Sequence, residues 1–216
     1  MLKTGISILT IIYCTLCQAQ SDSIKKLADR HLNLKLSYNS SLIFPGISTG
    51  IGFPFQQINI QKLKKRGAEK SFTKGRFITG NLSWYHHPYF HDNFYLTAEW
   101  VMRRTKSSGF ISEFSVGPGY SRTFLGGTTY RVADNGSISI IRHAGYNYAL
   151  ITVGGGFGYD YSVKRQLPVS IFGKMNLLSM FPYNSAIYFR PVLELGFRYM
   201  LGRIKKSKET KESILK

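Results

Sequence analysis

The sequence is short of several things at once. Its only two cysteines, Cys14 and Cys17, lie in the first 17 residues. Beyond that stretch no disulfide framework and no thiolate metal site can be built, and a protein of this size must find its stability elsewhere. After Leu16 no run approaches the roughly 18 apolar residues of a membrane-crossing helix. Acids are scarce: 11 Asp and Glu stand against 29 Lys and Arg, a formal net charge of +18 over 216 residues. The chain is too short for a typical (β/α)₈ barrel. It also lacks the dominance of Ala, Glu and Leu that a coiled coil or helix bundle would show.

What is present is aromatic and small: 15 Phe, 14 Tyr and 21 Gly in a chain that is 43% hydrophobic. Such a composition buries a core, which excludes a disordered chain. The cationic excess points first to nucleic acid or an anionic membrane.

The N-terminus redirects that reading. Residues 1–20 read MLKTGISILTIIYCTLCQAQ. Lys3 supplies a positive start, Ile6 to Leu16 an apolar stretch, and Cys17-Gln18-Ala19 a small-x-small cleavage pattern. This is the layout of a secretory signal peptide over residues 1–19. Leu16 before Cys17 and Tyr13 before Cys14 do not fit a lipoprotein signal. Export weakens any role with nucleic acid.

The mature chain alternates with period two, the signature of strands with two unlike faces. In 93–103, Phe94, Leu96, Ala98, Trp100 and Met102 oppose Tyr95, Thr97, Glu99, Val101 and Arg103. In 76–85, Ile78, Gly80, Leu82 and Trp84 oppose Thr79, Asn81, Ser83 and Tyr85. The same holds over 110–124, 148–161, 169–178 and 187–201, with weaker strands near 32–39 and 47–55. The count is eight. The clear strands run longer than the usual 5–6 residues of soluble sheets and suffice to cross a bilayer at a tilt. One face mixes small and charged residues; the other is apolar, with aromatics towards its ends, as in transmembrane barrels. A closed barrel is the only sheet that leaves no unpaired edge in lipid. The expected fold is therefore an all-β, eight-stranded antiparallel transmembrane β-barrel over 32–202. A short periplasmic segment (20–31) precedes it and a basic tail (203–216) follows. A secreted soluble β-domain is the alternative.

With the N-terminus in the periplasm, the outer connections are 40–46, 86–92, 124–145 and 180–185. The inner ones are 57–74, 106–108 and 162–166. The segment 124–145 carries a turn signal, Asp134-Asn135-Gly136. The segment 57–74 reads as a long basic connection whose start could continue the second strand. The N-terminal segment, the inner connections with the strand ends beside them (Arg76, Arg103, Arg104) and the tail together hold 21 of the 29 basic residues. A basic inner rim implies attraction to anionic phospholipid headgroups or to an acidic periplasmic partner, besides a plain solubilising role.

The candidate site is a charge network on the lumen face: Glu99, Arg103, Glu113, Asp160, Lys174, Arg190, Glu194 and Arg198, formally neutral. The interior of an eight-stranded barrel is just wide enough for side chains to fill, and buried charges there must be paired or solvated. The hairpin through 106–108 places Arg103 beside Glu113. Gly154, Gly156 and Gly158 leave room for the Lys174 and Arg190 stems. The network either plugs the lumen or lines a narrow polar path.

Two catalytic readings are weaker. His86, His87, His91 and Asp92 at one outer hairpin have the chemistry of a Zn²⁺ or Cu²⁺ site, but turn chemistry accounts for them as well. Ser83, His87 and Glu99 share the lumen face. Ser83 and His87, four residues apart on one strand, stand about 13 Å apart and cannot bond directly. No catalytic residue, metal or cofactor is assigned.

The segments WYHHPYFHDN, SRTFLGGTTYRVADNG, GGGFGYDYS and FPYN, with the Ala19-Gln20 end of the signal, resemble those of small outer-membrane β-barrel proteins of Gram-negative bacteria, porin-like and of the OmpX-like size class. The resemblance covers nearly the whole mature chain. It implies an outer-membrane location and lipid contact, without a particular activity. The tail Arg203–Lys216 departs from it, since many such chains end at the last aromatic strand. The function expected is non-enzymatic, structural or loop-mediated. A narrow channel or transport accessory is the first alternative, and an outer-membrane lipid-modifying enzyme the second.

Overall fold

The structure is a computed structural model that describes residues 23–27, 31–41, 44–63, 69–88, 90–183 and 186–202. The signal segment 1–19 and the tail 203–216 lie outside the described residues. A short strand β1 (Ser23–Leu27) is followed by β2 (Leu32–Ser41), β3 (Phe44–Leu63), β4 (Glu69–His87), β5 (His91–Lys106) and β6 (Phe110–Leu125). Then come a small hairpin, β7 (Thr129–Val132) and β8 (Ile138–Ile141), and β9 (Gly145–Asp160). A single helical turn α1 (Ser162–Arg165) leads to β10 (Val169–Tyr183) and β11 (Ala186–Leu201).

Eight of these strands form one antiparallel ring. The order is β3-β2-β11-β10-β9-β6-β5-β4, and β4 pairs back onto β3 to close it. Closure leaves every ring strand paired on both sides, the only sheet arrangement that satisfies its backbone without water. The strands expected from the alternation are all present, and most extend past their expected ends. Each joins its sequence neighbour around the ring, and the β11–β2 contact joins the last ring strand to the first. The barrel is therefore a meander, with β7–β8 as an excursion in the longest connection.

The faces follow the alternation. Outside lie Leu82, Leu96, Trp100, Ile151, Met175, Leu193 and Leu195, all exposed apolar side chains. Inside lie Asn33, Lys35, Ser37, Asn81, Glu99, Ser115, Thr152, Lys174 and Glu194, all buried. This is the inverse of a water-soluble protein, whose apolar side chains are those withdrawn from solvent. Aromatic pairs edge the apolar belt. Phe94 meets Phe124 edge-on (5.9 Å between centroids) and Trp84 (6.4 Å) towards the end bearing the long loop, and Phe110 meets Phe157 (5.8 Å) towards the end bearing the termini.

Two segments differ from the sequence reading. The stretch 57–74 is not a long loop. β3 and β4 stay in register from Gln56↔Arg76 to Leu63↔Glu69, and the connection shrinks to 64–68. The cause is a bulge: Pro54 pairs with Phe77 and Gln56 with Arg76, which leaves Phe55 unmatched. One extra residue shifts the alternation by one, so a periodicity carried through from 47–55 fails beyond it. Pro54, which has no N–H to give a ladder, sits where ladders tolerate proline. The second difference is β1, a strand within the segment expected as a short periplasmic N-terminal stretch. It pairs with the projecting part of β3, from Ser23↔Lys62 to Leu27↔Ile58.

Connections at the termini end are otherwise tight. Gly109 N–H donates to the Lys106 carbonyl (2.9 Å) between β5 and β6. At the other end the Asp134-Asn135-Gly136 turn closes β7–β8. Gly136 takes φ +78°, a conformation glycine enters at no cost, and its N–H donates to the Ala133 carbonyl at 2.8 Å.

Candidate functional site

Charged side chains enter the lumen because the parity of each strand sends them there, and the stagger between strands decides which of them meet. Glu194 on β11 accepts from Lys35 Nζ (2.7 Å), Ser37 Oγ (2.6 Å) and Asn176 Nδ2 (3.0 Å). Glu99 on β5 accepts from Lys174 Nζ (2.6 Å), Asn81 Nδ2 (3.1 Å) and Thr97 Oγ1 (3.3 Å). Glu113 on β6 accepts from Arg103 Nε (3.2 Å) and from Arg198. Arg103 and Glu113 are cross-strand partners in the β5–β6 ladder. Each buried carboxylate thus carries at least one full ion pair together with further donors, the condition under which a buried charge is tolerated.

The guanidinium groups also lie on ring faces. Arg103 lies 4.6 Å from the Phe77 centroid, Arg198 3.7 Å from Phe172 and Arg190 3.4 Å from Tyr85. These are cation–π contacts, strengthened where water is excluded. Glycine makes the crossing possible at β9: a Cβ on Gly154 would run into Asn176 Oδ1 and, at 2.6 Å, the Lys174 stem.

The eight residues named from the sequence all face inward, but they do not act as one set. Six of them, Glu99, Arg103, Glu113, Lys174, Glu194 and Arg198, form the paired layers. Asp160 sits at the termini end, where its Oδ1 accepts from the Ser162 backbone N–H (2.9 Å). Arg190 stands apart. It pairs in the ladder with Leu178, away from the glycine column, and no carboxylate bridges it among the described residues. The sequence reading missed Lys35, the partner of Glu194. With Lys35 included, the lumen has five bases and four acids, and its formal charge is one positive rather than neutral.

Above the charged layers the interior turns apolar. Tyr85, Tyr95, Leu150, Leu178, Met180 and Val192 form a buried cluster against which Phe44 and Tyr148 pack. Beyond it, at the long-loop end, lies a cavity of about 450 Å³ lined by aromatic side chains, with Arg190 and Met180 among its walls. Four buried polar atoms among the charged layers, Asn81 Oδ1, Asn176 Oδ1, Ser115 Oγ and Arg198 Nη1, have no hydrogen-bond partner among the described residues.

The histidine hairpin is divided by the pleat. His86 and Asp92 are cross-strand partners on the outer face, with Nδ1 to Oδ1 at 2.8 Å. His87 and His91 face inward. His87 stacks on Phe44 (4.1 Å), and His91 Nε2 lies 3.3 Å from the Tyr85 hydroxyl. The four groups do not converge, and no cluster of three or more His, Cys, Asp or Glu fit to hold a metal occurs among the described residues. Ser83 Oγ donates to Ser48 Oγ (2.8 Å) and Glu99 is held by Lys174, so Ser83, His87 and Glu99 form no relay.

A closed barrel with an apolar belt outside and a charged, filled interior is a transmembrane β-barrel. Three solved structures are similar to this chain. The N-terminal β-barrel domain of Pseudomonas aeruginosa OprF is 11% identical (TM-score 0.40, 78% of this chain, 97% of that one). Neisserial surface protein A is 12% identical (TM-score 0.40, 82% and 98%). Ail, the attachment invasion locus protein of Yersinia pestis, is 10% identical (TM-score 0.39, 79% and 97%). No protein-family model matches the chain, and no curated protein matches it.

Proposed function

We propose that this chain is an integral outer-membrane protein of a Gram-negative bacterium, exported through a cleaved signal peptide at 1–19. In this reading it has no enzymatic activity, its lumen is plugged by its own side chains, and it acts structurally or through the loops of the β7–β8 end. The observation that carries the plug is the stack of ion-paired layers. Three carboxylates and four cations from β2, β5, β6, β10 and β11 meet across the interior at 2.6–3.2 Å, with the Arg198–Glu113 pair closer still. Loop action is supported by β7–β8: Tyr130, Val132, Ile138 and Ile140 share one face of that hairpin and are 59–69% exposed. Such an apolar face on a projecting loop suits a protein contact.

The basic groups at the termini end suit phosphate headgroups of anionic lipid, or an acidic periplasmic partner. Lipid is the expected surrounding of the outer face. The test of the plug is conductance in a planar bilayer. The folded protein should give no large stable pore, and a large stable conductance would overturn it.

A second reading, a narrow polar path, is favoured by the four orphaned buried polar atoms, each a place where water could be accepted. Here small currents should appear, and their ion selectivity should change when Glu99 and Glu113 are neutralised. Silent bilayers reject this reading.

A further inference from the structure

The cavity at the long-loop end contains something the plug does not use. Arg190 is 5% exposed, so little of its side chain meets solvent outside the cavity it borders. The three lumen glutamates all have cationic partners, and Glu194 lies four residues further along the same strand, about 13 Å away. Asp92 is on the opposite face of β5, tied to His86. Arg190 therefore rests on the face of Tyr85 and borders the cavity without a carboxylate among the described residues. A buried cation lacking its counter-charge is costly, and structures keep one where something supplies the charge.

The surroundings define what that something is. The walls are mostly rings, Phe44, Tyr85, His87, His91, Tyr148 and Tyr188, and Met180 and Arg190 line the same cavity. Phe44 and His87 are already stacked, and His87 and His91 lie 5.1 Å apart. Flat apolar walls accept a flat apolar body by offset or edge-on ring contacts. The guanidinium fork matches the two oxygens of a carboxylate. A volume of about 450 Å³ is in the range of small-molecule sites. We propose that this vestibule is a binding site for an aromatic carboxylate, a flat ring bearing one anionic group, with Arg190 taking the carboxylate and the aromatic walls taking the ring.

The test uses the full barrel folded in neutral maltoside micelles, which bring no competing phosphate. The probe is benzoate, with benzyl alcohol as its uncharged counterpart and inorganic phosphate as an anion without a ring. The readout is the Met180 methyl resonance, assigned by its loss in Met180→Leu. The methyls of Met102 and Met175, on the outer face, report partition into the micelle. Benzoate should move the Met180 signal saturably while Met102 and Met175 stay still. Benzyl alcohol and phosphate should each bind at least about tenfold more weakly. Arg190→Gln should weaken benzoate by a similar factor. If that variant does not fold, Arg190→Lys, which keeps the charge but loses the fork, and Tyr188→Ala, which removes a wall, should each weaken benzoate severalfold. Equal effects of benzoate and benzyl alcohol, phosphate binding as tight as benzoate, or affinity unchanged in these variants would overturn the proposal.

Discussion

Glu113 shows how much one residue can carry. Its carboxylate sits between Arg103 and Arg198, and both cations are held where water cannot easily replace it. Glu113→Ala should therefore cost about 3–5 kcal/mol, the penalty for stranding buried charge. Removing Arg103 should cost less, because Arg198 still answers the carboxylate. Urea-dependent refolding of the two variants, followed by tryptophan fluorescence, measures the difference, and equal losses would argue against a shared anion. At this scale the sequence was legible in part. Parity alone identified the inward charges, and the 106–108 hairpin alone paired Arg103 with Glu113. It could not identify Lys35, because Leu34, Leu36 and Tyr38 are a thin apolar face and the strand is only 10 residues long. Nor could it separate Arg190 from the others, since the height of a residue in a barrel depends on stagger between strands, which alternation does not encode.

At the scale of the element, strands on the ring and strands off it obey different rules. Leu195 on β11 is 65% exposed and Ile140 on β8 is 63% exposed, so exposure alone does not distinguish them. Their solvents do. Leu195 belongs to the apolar belt, and Leu195→Arg should destabilise the folded barrel by about 2–4 kcal/mol, the cost of a cation near the bilayer midplane. Ile140→Arg, on a hairpin outside the ring, should stay within about 0.5 kcal/mol. Unfolding in phospholipid vesicles gives both values; similar costs would mean that β11 does not face lipid as described. The long strands were readable because their alternation runs for many residues. β7 and β8, four residues each, offered too few periods to be seen, although their turn was.

Taken whole, the molecule separates its charges. The lumen is within one unit of neutral, the belt carries none at its centre, and among the described residues Lys74, Arg76, Arg104, Lys106, Lys164 and Arg165 lie towards the termini end. A net charge of +18 is thus a property of where the chain meets water, not of its fold. A closed ring also resists detergent until heated. Unboiled protein extracted with detergent should run at a different apparent mass from boiled protein on a denaturing gel, and identical migration would contradict a closed barrel. The class of fold was legible because lipid and lumen impose opposite demands on alternate residues. The ligand of the vestibule was not, because it is shaped by residues from β3, β4, β5, β6, β9, β10 and β11 that only closure brings together.

The unmatched Phe55 gives the strand a spare letter. Partners on either side of it, Pro54 with Phe77 and Gln56 with Arg76, are already consecutive on β4. Excising Phe55 should therefore leave every other pairing of β3 in phase and yield a folded barrel with a straighter strand. Excising Thr49, a few positions earlier, should throw one flank of the strand onto the wrong face. Yields of folded protein from the two deletions compare them directly. A change of length in a membrane strand is ordinarily ruinous; here β3 holds a place where it would be silent.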